Sequence, residues 1–159
     1  MAGLTEDHEF SDDPVLREIS PRASYIVDNY GSSDLVERFG PITSGRASPG
    51  LLDRRRTDFM FSTTYEEAPD AFSENLVEFS PVTHVDEDDP PVLIVHGDAD
   101  GLVPLEQSLI LQRRLEAAGV THELHVVANA DHAFNGSTPG QIEEVVETTV
   151  RFITGNTLD

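Results

Sequence analysis

The chain has 159 residues, of which 38% are hydrophobic, and this is enough for one ordinary domain with a buried core. Thirty acidic residues stand against ten basic ones, every one of them arginine, so that the formal net charge is −20. Such a charge repels nucleic acids and anionic membrane surfaces, and we expect neither as a partner. The absence of cysteine excludes a disulfide framework and a thiolate nucleophile.

The acidic residues are spread from Glu6 to Asp159 among apolar patterns, which favours a surface adapted to high salt over a disordered acidic tail. Concentrated salt screens the self-repulsion of such a surface, since the Debye length falls to about 3 Å at 1 M. The first ten residues lack the basic and apolar parts of a secretory signal, and no apolar run approaches the roughly 20 residues that span a bilayer. We therefore expect a cytoplasmic protein from a salt-loving source.

The first predicted elements are a strand and a short helix. Residues 24–30 read SYIVDNY, which is apolar enough for a buried strand, and residues 34–39 are predicted to form a helix that ends at Gly40 and Pro41. Residues 41–75 contain several glycines and prolines and read as an irregular segment. This composition is typical of a cap-like or lid-like insertion of short helices and loops.

The most informative stretch is PPVLIVHGDADGLVP, at residues 90–104. Residues 92–96 form an apolar, β-branched run, which predicts a strand that is buried on both faces of a parallel sheet. The run breaks into a turn with two glycines, which places Asp98 and Asp100 at the C-terminal end of the strand. Because ligands bind beyond the C-terminal strand ends of open α/β sheets, this turn is predicted to be functional.

A helix, a strand and a last helix are predicted to follow. Apolar residues at helical spacing precede a capping glycine, Gly119, and residues 122–128 read as another buried strand. In the last helix Thr138 and Gln141 have capping-box spacing, and Gly155 is expected to end it. Its predicted buried face consists of Ile142, Val145, Val146, Thr149 and Ile153. The order of the elements predicts a parallel, right-handed α/β arrangement.

At two positions in the sequence, a reactive type of residue directly follows a predicted strand. Asp98 and Asp100 follow one predicted strand, and His132 follows the next. Parallel strands end at the same edge of a sheet, so a carboxylate could orient the imidazole as a general base in a nucleophilic triad. The alternative is that the aspartates only form the turn and that His132 is an ordinary surface residue.

Two metal-binding alternatives fit the residue pattern poorly. Residues 96–107 resemble part of a calcium loop, but the first is histidine rather than an oxygen ligand and the twelfth is glutamine rather than glutamate. His122 and His125 could suggest a zinc pair, but their odd separation on a strand points them to opposite faces. We expect neither a metal nor another cofactor.

A resemblance to a known family rests on these same residues. The run VLIVHGDAD at 92–100, followed by Val103-Pro104 and Gln107-Ser108, resembles the acid-bearing segment of α/β-hydrolases. It is most similar to that of the feruloyl- and acetyl-esterase-like enzymes and of the prolyl-oligopeptidase catalytic domain. The resemblance implies that Asp100 is the acid of a catalytic triad and that Asp98 is a turn residue.

Two other segments extend the resemblance. Residues 130–134, ADHAF, resemble the glycine-rich histidine loop of these enzymes, which implies that His132 is the triad base. Residues 30–35 resemble the segment after the sixth strand of the family. Three positions of the histidine loop depart from the family pattern of small residues: Asn129, Ala130 and Ala133.

The nucleophile of the family is missing from the sequence. No serine has glycine at both −2 and +2, so there is no G-x-S-x-G elbow. The resemblance then implies a partial α/β-hydrolase fold, with a parallel sheet of about three strands and flanking helices. We expect residues 1–159 to be the C-terminal part of one hydrolase domain that begins just after the catalytic serine, with the insertion at about 41–75 shaping its pocket.

The function expected from the resemblance is that of the C-terminal region of a serine hydrolase, acting on a small ester or a peptide. The isolated chain is expected to be inactive, and either to be marginally stable or to pair with a complementary N-terminal half or with itself. A second hypothesis is a non-catalytic remnant or binding module with a hydrolase-like fold. A third, a metal-binding protein, would show a metal in elemental analysis.

Overall fold

The computed structural model describes residues 23–43 and 68–156. Residues 1–22 and most of the predicted insertion, residues 44–67, lie outside the described residues. The described elements are, in chain order, β1 (Ile26–Asn29), α1 (Leu35–Thr43), α2 (Pro69–Glu78), a 3₁₀ turn (Pro81–Thr83), β2 (Val92–Gly97), α3 (Glu106–Ala118), β3 (His122–Val127), a second 3₁₀ turn (His132–Phe134) and α4 (Pro139–Asn156).

The three strands form one parallel sheet in the order β1-β2-β3. The register pairs Ile26 with Val92 and Val92 with His122, so the C-terminal ends of all three strands meet at one edge. All six residues of the central strand are buried, as expected for a strand that is covered on both faces. The sheet and its flanking helices confirm the predicted partial α/β-hydrolase fold.

Alternate residues of β2 pack against helices on opposite faces of the sheet. Ile94 lies in a cluster with Leu111 and Leu115 of α3. Leu93 lies in a second cluster with Val145 and Phe152 of α4. This alternation follows from the two-residue period of a strand, and each large side chain that is fully buried contributes about 1.5–3 kcal/mol. The two helices cover the faces of the sheet, and the candidate site lies at the C-terminal ends of its strands.

The helix after β1 is longer than the sequence predicted. It continues through Gly40 and Pro41 to Thr43 instead of ending before them. A proline disfavours a helical conformation in the residue before it through contacts with that residue's N–H and Cβ, and Gly40 has no Cβ. Because Pro41 lies in the last turn, its missing N–H costs the helix a single hydrogen bond.

The segment predicted as an irregular insertion contains part of a regular helix. Residues 69–75 belong to α2, whose first residue is Pro69, a position where proline is well tolerated. Phe72 and Leu76 of this helix are buried against Leu35 and Phe39 of α1. The two helices therefore pack together beside the sheet.

The buried face of α4 differs from the predicted one. Its buried residues are Val145, Thr148 and Phe152, whereas Ile142 and Val146 are 40% and 55% exposed. The helix carries two apolar stripes, and spacing alone does not reveal which one meets the sheet. It also runs one residue past Gly155, to Asn156.

A buried glutamine fixes the loop after β1 to the start of α3. Oε1 of Gln107 accepts hydrogen bonds from the backbone N–H groups of Ser33 at 3.1 Å and Asp34 at 2.9 Å, and Nε2 donates to Glu37 at 2.8 Å. The Ser33 hydroxyl donates in return to the backbone carbonyl of Gln107. The amide of Gln107 therefore has a structural role and secures the chain next to the acidic turn.

Candidate active site

The turn after β2 holds a buried carboxylate in one orientation. The side chain of Asp100 is fully buried, and its Oδ1 accepts hydrogen bonds from the backbone N–H groups of Leu102 at 2.8 Å and Val103 at 2.7 Å. A carboxylate that accepts two backbone N–H groups cannot rotate without losing both. Its second oxygen, Oδ2, is consequently directed toward the loop that follows β3.

The histidine of that loop meets this second oxygen. Nδ1 of His132 lies 2.9 Å from Oδ2 of Asp100, and the imidazole is 30% exposed. Because an ionised carboxylate can only accept, Nδ1 carries the hydrogen and Nε2 is left as the acceptor on the opposite side of the ring. The structure thus brings Asp100 and His132 together at the edge of the sheet where the sequence predicted both.

The environment of Asp100 favours its charged form. Burial raises the pKa of Asp100, but the hydrogen bonds from Val103, His132 and Leu102, together with the charge of His132, outweigh the burial. The pKa of this carboxyl therefore lies below its ordinary value. Near neutral pH the carboxylate is ionised, which is the form that can hold an imidazolium.

A second carboxylate links the acid-bearing turn to the histidine loop. Oδ1 of Asp131 accepts hydrogen bonds from the backbone N–H groups of Gly101 at 2.9 Å and His132 at 2.7 Å. These two hydrogen bonds, that from Gly101 above all, lower the pKa of Asp131. The backbone N–H of Ala99 also donates to the carbonyl of Ala130 at 3.1 Å. The loops after β2 and β3 are therefore held in a fixed position relative to each other.

Asp98 contributes a third link. Its Oδ1 accepts a hydrogen bond from the backbone N–H of Asn129 at 2.5 Å. The side chain is thus more than the turn former that the resemblance implied, since it bridges the ends of β2 and β3. The neighbouring Gly97 is packed against Ala130, and a Cβ at this position would overlap the carbonyl oxygen of Ala130.

The histidine loop has an unusual backbone for its sequence. Asn129, Ala133 and Phe134 have φ values of 57°, 57° and 59°, which lie in the left-handed region that favours glycine. For a residue other than glycine this conformation costs roughly 1–2 kcal/mol. Two of the departures from the family's loop pattern, Asn129 and Ala133, thus adopt a glycine-like backbone, which the loop's hydrogen bonds hold in place.

Sequence reasoning missed an aromatic neighbour of His132. The ring of Tyr30 lies edge-on to the imidazole, with ring centres 4.8 Å apart, and also packs against Phe134 at 5.2 Å. Tyr30 has φ 47° and donates its backbone N–H to the carbonyl of Val95 at 2.8 Å. A large aromatic residue at the C-terminal end of a predicted strand, followed by glycine, was the available signal.

Residues that could hold a metal do not cluster in the described part of the chain. Within residues 23–43 and 68–156, no group of three or more histidine, aspartate or glutamate side chains has the arrangement of a metal site. Nδ1 of His122 lies 2.8 Å from the carbonyl of Val120.

The same described ranges contain no helix with the length and apolarity that crossing a bilayer requires.

Comparison with known proteins identifies the family. Residues 44–158 match the sequence model of the prolyl oligopeptidase family, which covers most of the chain. The chain belongs to the prolyl oligopeptidase family. This assignment places it in the α/β-hydrolase superfamily, in agreement with the resemblance of the segments at 92–100 and 130–134.

Similar proteins include several esterases. Esterase LipC of Mycobacterium tuberculosis is 26% identical over 141 residues, which cover 85% of this chain and 31% of LipC. A truncated carbohydrate esterase from gut microbiota has a TM-score of 0.63 at 21% identity, over 96% of this chain and 54% of that protein. An acetyl ester-xyloside bifunctional hydrolase from Caldicellulosiruptor lactoaceticus has a TM-score of 0.63 at 23% identity, over 96% of this chain and 51% of that protein.

The chain is much shorter than these proteins. It spans about half the length of the two solved structures and about a third of LipC. The structural similarity shows that the sheet and its helices have the α/β-hydrolase fold.

Proposed function

We propose that Asp100 and His132 are the acid and base of a serine-hydrolase reaction whose nucleophile lies outside these 159 residues. The observation that carries the proposal is the 2.9 Å contact between Oδ2 of Asp100 and Nδ1 of His132. It is supported by the burial of the acid, the partial exposure of the base and membership of the prolyl oligopeptidase family. No serine in the sequence has the glycine spacing of a nucleophile elbow.

The chemistry assigned to this pair is acyl transfer to water. Nε2 of His132 accepts the proton of the serine hydroxyl as its oxygen bonds to the acyl carbon, and the imidazolium then gives that proton to the departing alcohol or amine. Water repeats the sequence on the acyl-enzyme, which releases the acid and restores the serine. Asp100 keeps its charge throughout, orients the imidazole and stabilises the imidazolium.

Burial and exposure are distributed as this chemistry requires. The carboxylate is shielded from water, so its attraction to the imidazolium is only weakly screened. The imidazole is accessible, so its Nε2 can reach a group that approaches from outside the described residues. The links through Asp98 and Asp131 hold the pair before any substrate binds, which reduces the reorganisation that the reaction requires.

We propose that the serine is supplied by a complementary N-terminal half of the domain. Within the described residues, β1 is hydrogen-bonded only to β2, so its other edge is open to a further parallel strand. The substrate class is a carboxylic ester or a peptide. The esterase names of several similar proteins favour testing an ester first.

Hydrolysis of p-nitrophenyl acetate tests the proposal. The chain is assayed in multimolar salt, alone and together with the polypeptide encoded immediately upstream. We expect little hydrolysis by the chain alone and rapid hydrolysis by the combination, abolished by His132→Ala. The matched control is His84→Ala, which removes a histidine from the turn after the Pro81–Thr83 3₁₀ turn. A combination that remains inactive, or that His132→Ala leaves fully active, would overturn the proposal.

A non-catalytic binding module is the second candidate, favoured by the missing elbow motif. It predicts no turnover in either assay, together with binding of an ester or peptide at the same edge of the sheet. Equilibrium binding of a non-hydrolysable ester analogue, measured with Asp100→Asn as the comparison, separates this role from the catalytic one.

A further inference from the structure

His96 is a buried imidazole to which the proposed chemistry gives no role. It lies on β2, it is fully buried, and both of its ring nitrogens have partners. Nδ1 lies 2.6 Å from the hydroxyl oxygen of Ser108, and Nε2 lies 2.8 Å from the backbone carbonyl oxygen of Val103. Nε2 also lies 3.4 Å from Oδ2 of Asp100. The imidazole therefore touches the same loop that carries the acid.

The partners of His96 define which nitrogen carries the hydrogen. The carbonyl of Val103 can only accept, so Nε2 must be the donor. Nδ1 is then free to accept the hydroxyl hydrogen of Ser108, a residue of α3 that is itself fully buried. The carbonyl of Val103 thereby selects the tautomer of His96, and the Ser108 hydroxyl matches it as a donor to Nδ1.

Val103 connects His96 to Asp100 through its own backbone, because its N–H and its carbonyl bind one of these residues each. The N–H of Val103 donates to Oδ1 of Asp100 at 2.7 Å, and its carbonyl accepts from Nε2 of His96. A displacement of Val103 would therefore move the carboxylate. Nε2 of His96 also lies 3.4 Å from Oδ2 of Asp100, the oxygen that Nδ1 of His132 contacts at 2.9 Å, so the space around that oxygen is occupied by both imidazoles.

One other titratable group interacts with His96 from the neighbouring strand. Burial raises the pKa of Asp28 on β1, while the electrostatic interaction with His96 and the backbone N–H of Gly31 oppose the increase. A Cβ on Gly31 would overlap the Asp28 carboxylate, so the two are closely packed. Asp28 and Asp100 are therefore the two carboxyl groups that interact with His96 in the described part of the chain.

We propose that His96 is a positioning residue, which holds Val103 and Asp100 so that Oδ2 points to His132, with Ser108 holding the imidazole through Nδ1. Its kinetic effect rests on the proposed function, but its structural effect does not. The hydrogen bond from Nδ1 of His132 to Asp100 exists in the chain whether or not a serine is supplied. It can therefore be measured in the chain itself.

Proton NMR of the full chain in high salt measures that hydrogen bond. The hydrogen on Nδ1 of His132 should give a low-field resonance that is protected from exchange and is absent in His132→Ala. We expect His96→Phe, which keeps a ring but removes both nitrogens, to shift this resonance to higher field and to broaden it. His96→Gln can place an amide N–H near the position of Nε2 and should restore it. His125→Phe, on the opposite face of the sheet, is the matched control and should leave it unchanged.

Kinetics with the complementary polypeptide give a second readout. We expect His96→Phe to lower kcat roughly tenfold with KM within about twofold, and His96→Gln to restore most of kcat, because only the alignment of the acid is affected. Ser108→Ala should lower kcat less than His96→Phe, because it removes only the hydrogen bond to Nδ1 and leaves the Nε2 donor to Val103 in place.

The inference is overturned if a folded His96→Phe variant keeps both the resonance and kcat, or if His96→Gln behaves as His96→Phe does. Should His96→Phe fail to fold, His96→Gln and His96→Asn decide the question. If His96→Gln retains the resonance and His96→Asn loses it, the positioning role is supported. If the two variants give the same resonance, the role is contradicted. A wild-type chain that shows the resonance but no hydrolysis with its complement contradicts the proposed function and leaves the test of His96 intact.

Discussion

Asp131 accepts the backbone N–H of Gly101, 30 residues earlier in the chain, at 2.9 Å. The bond joins the loop after β3 to the loop after β2, and the same oxygen accepts the N–H of His132 at 2.7 Å. Asp98 forms the reciprocal bridge to Asn129. Asp100 and His132 are therefore held next to each other by two further carboxylates, Asp98 and Asp131, to which the proposed function gives no catalytic role.

Removal of the Asp131 bridge should lower stability in a pH-dependent way. The folded state lowers the pKa of Asp131 below 3.8, so its contribution is present above pH 3.8 and is lost as the pH falls through the lower folded-state pKa. We expect Asp131→Ala to lower Tm at pH 7 and to approach the wild type in acid. Thermal unfolding measured by circular dichroism in high salt tests this. Asp131→Asn retains an acceptor and should lose less, and an equal loss in both variants would contradict the account.

The buried carboxyl of Asp28 should affect stability with the opposite pH dependence to that of Asp131. Its folded-state pKa is raised above 3.8 by burial, so its contribution is favourable below pH 3.8 and is lost as the pH rises through the raised value. Asp28→Asn keeps an acceptor for Gly31 without the buried charge. We expect it to increase Tm at neutral pH and not below pH 3.8. Glu144→Gln on the exposed side of α4 removes the same charge without burial, and an equal gain there would show that net charge alone is responsible.

Substitution of Gly97 tests the close approach of the two loops. A Cβ there would overlap the carbonyl oxygen of Ala130, which is backbone and cannot move aside alone. We expect Gly97→Ala to lower the free energy of unfolding by about 1–3 kcal/mol. Gly155→Ala is the control, because its Cβ would meet open space in α4 and should be neutral or stabilising by about 0.5–1 kcal/mol. Denaturant unfolding measures both, and a neutral Gly97→Ala would contradict the described packing.

The aromatic contact of Tyr30 should affect catalysis through His132. The ring restricts the imidazole from one side, and the interaction does not require the phenol hydroxyl. We expect Tyr30→Phe to retain kcat and Tyr30→Ala to lower it roughly tenfold, in the assay with the complementary polypeptide. Phe79→Ala, at the end of α2 and 39% exposed, serves as the control for the loss of an aromatic ring. Equal rates for the phenylalanine and alanine variants at position 30 would show that the contact is incidental.

The sequence was sufficient to place the three strands and the two central residues of the candidate site. The predicted burial was right for β2 and wrong for β1 and β3, which are only partly buried. The central strand is recognisable because its residues are buried on both faces, which leaves an uninterrupted apolar run at 92–96. Asp100 and His132 follow strands directly, so the parallel topology alone brings them to the same edge. These features depend on local composition and chain order.

The supporting residues depend on contacts between distant segments, and sequence reasoning did not identify them. Nothing near Asp131 indicates that Gly101 is its partner, and the role of His96 depends on Ser108 and Val103, which reach it only in the folded chain. The face of α4 was predicted in part wrongly for a similar reason. Val146 and Val145 are equally apolar, and only packing on the sheet decides which is buried.

A double-mutant cycle on the combined polypeptides measures whether Asp100 and His132 act as one unit. It compares kcat for p-nitrophenyl acetate in Asp100→Asn, His132→Ala and the double variant, because residues that act as a unit give strongly non-additive losses. We expect Asp100→Asn to lower kcat by about 10⁴, as in related triads, and the double variant to be no slower than His132→Ala. Losses that multiply, or an Asp100→Asn variant with wild-type kcat, would contradict the assignment of the pair.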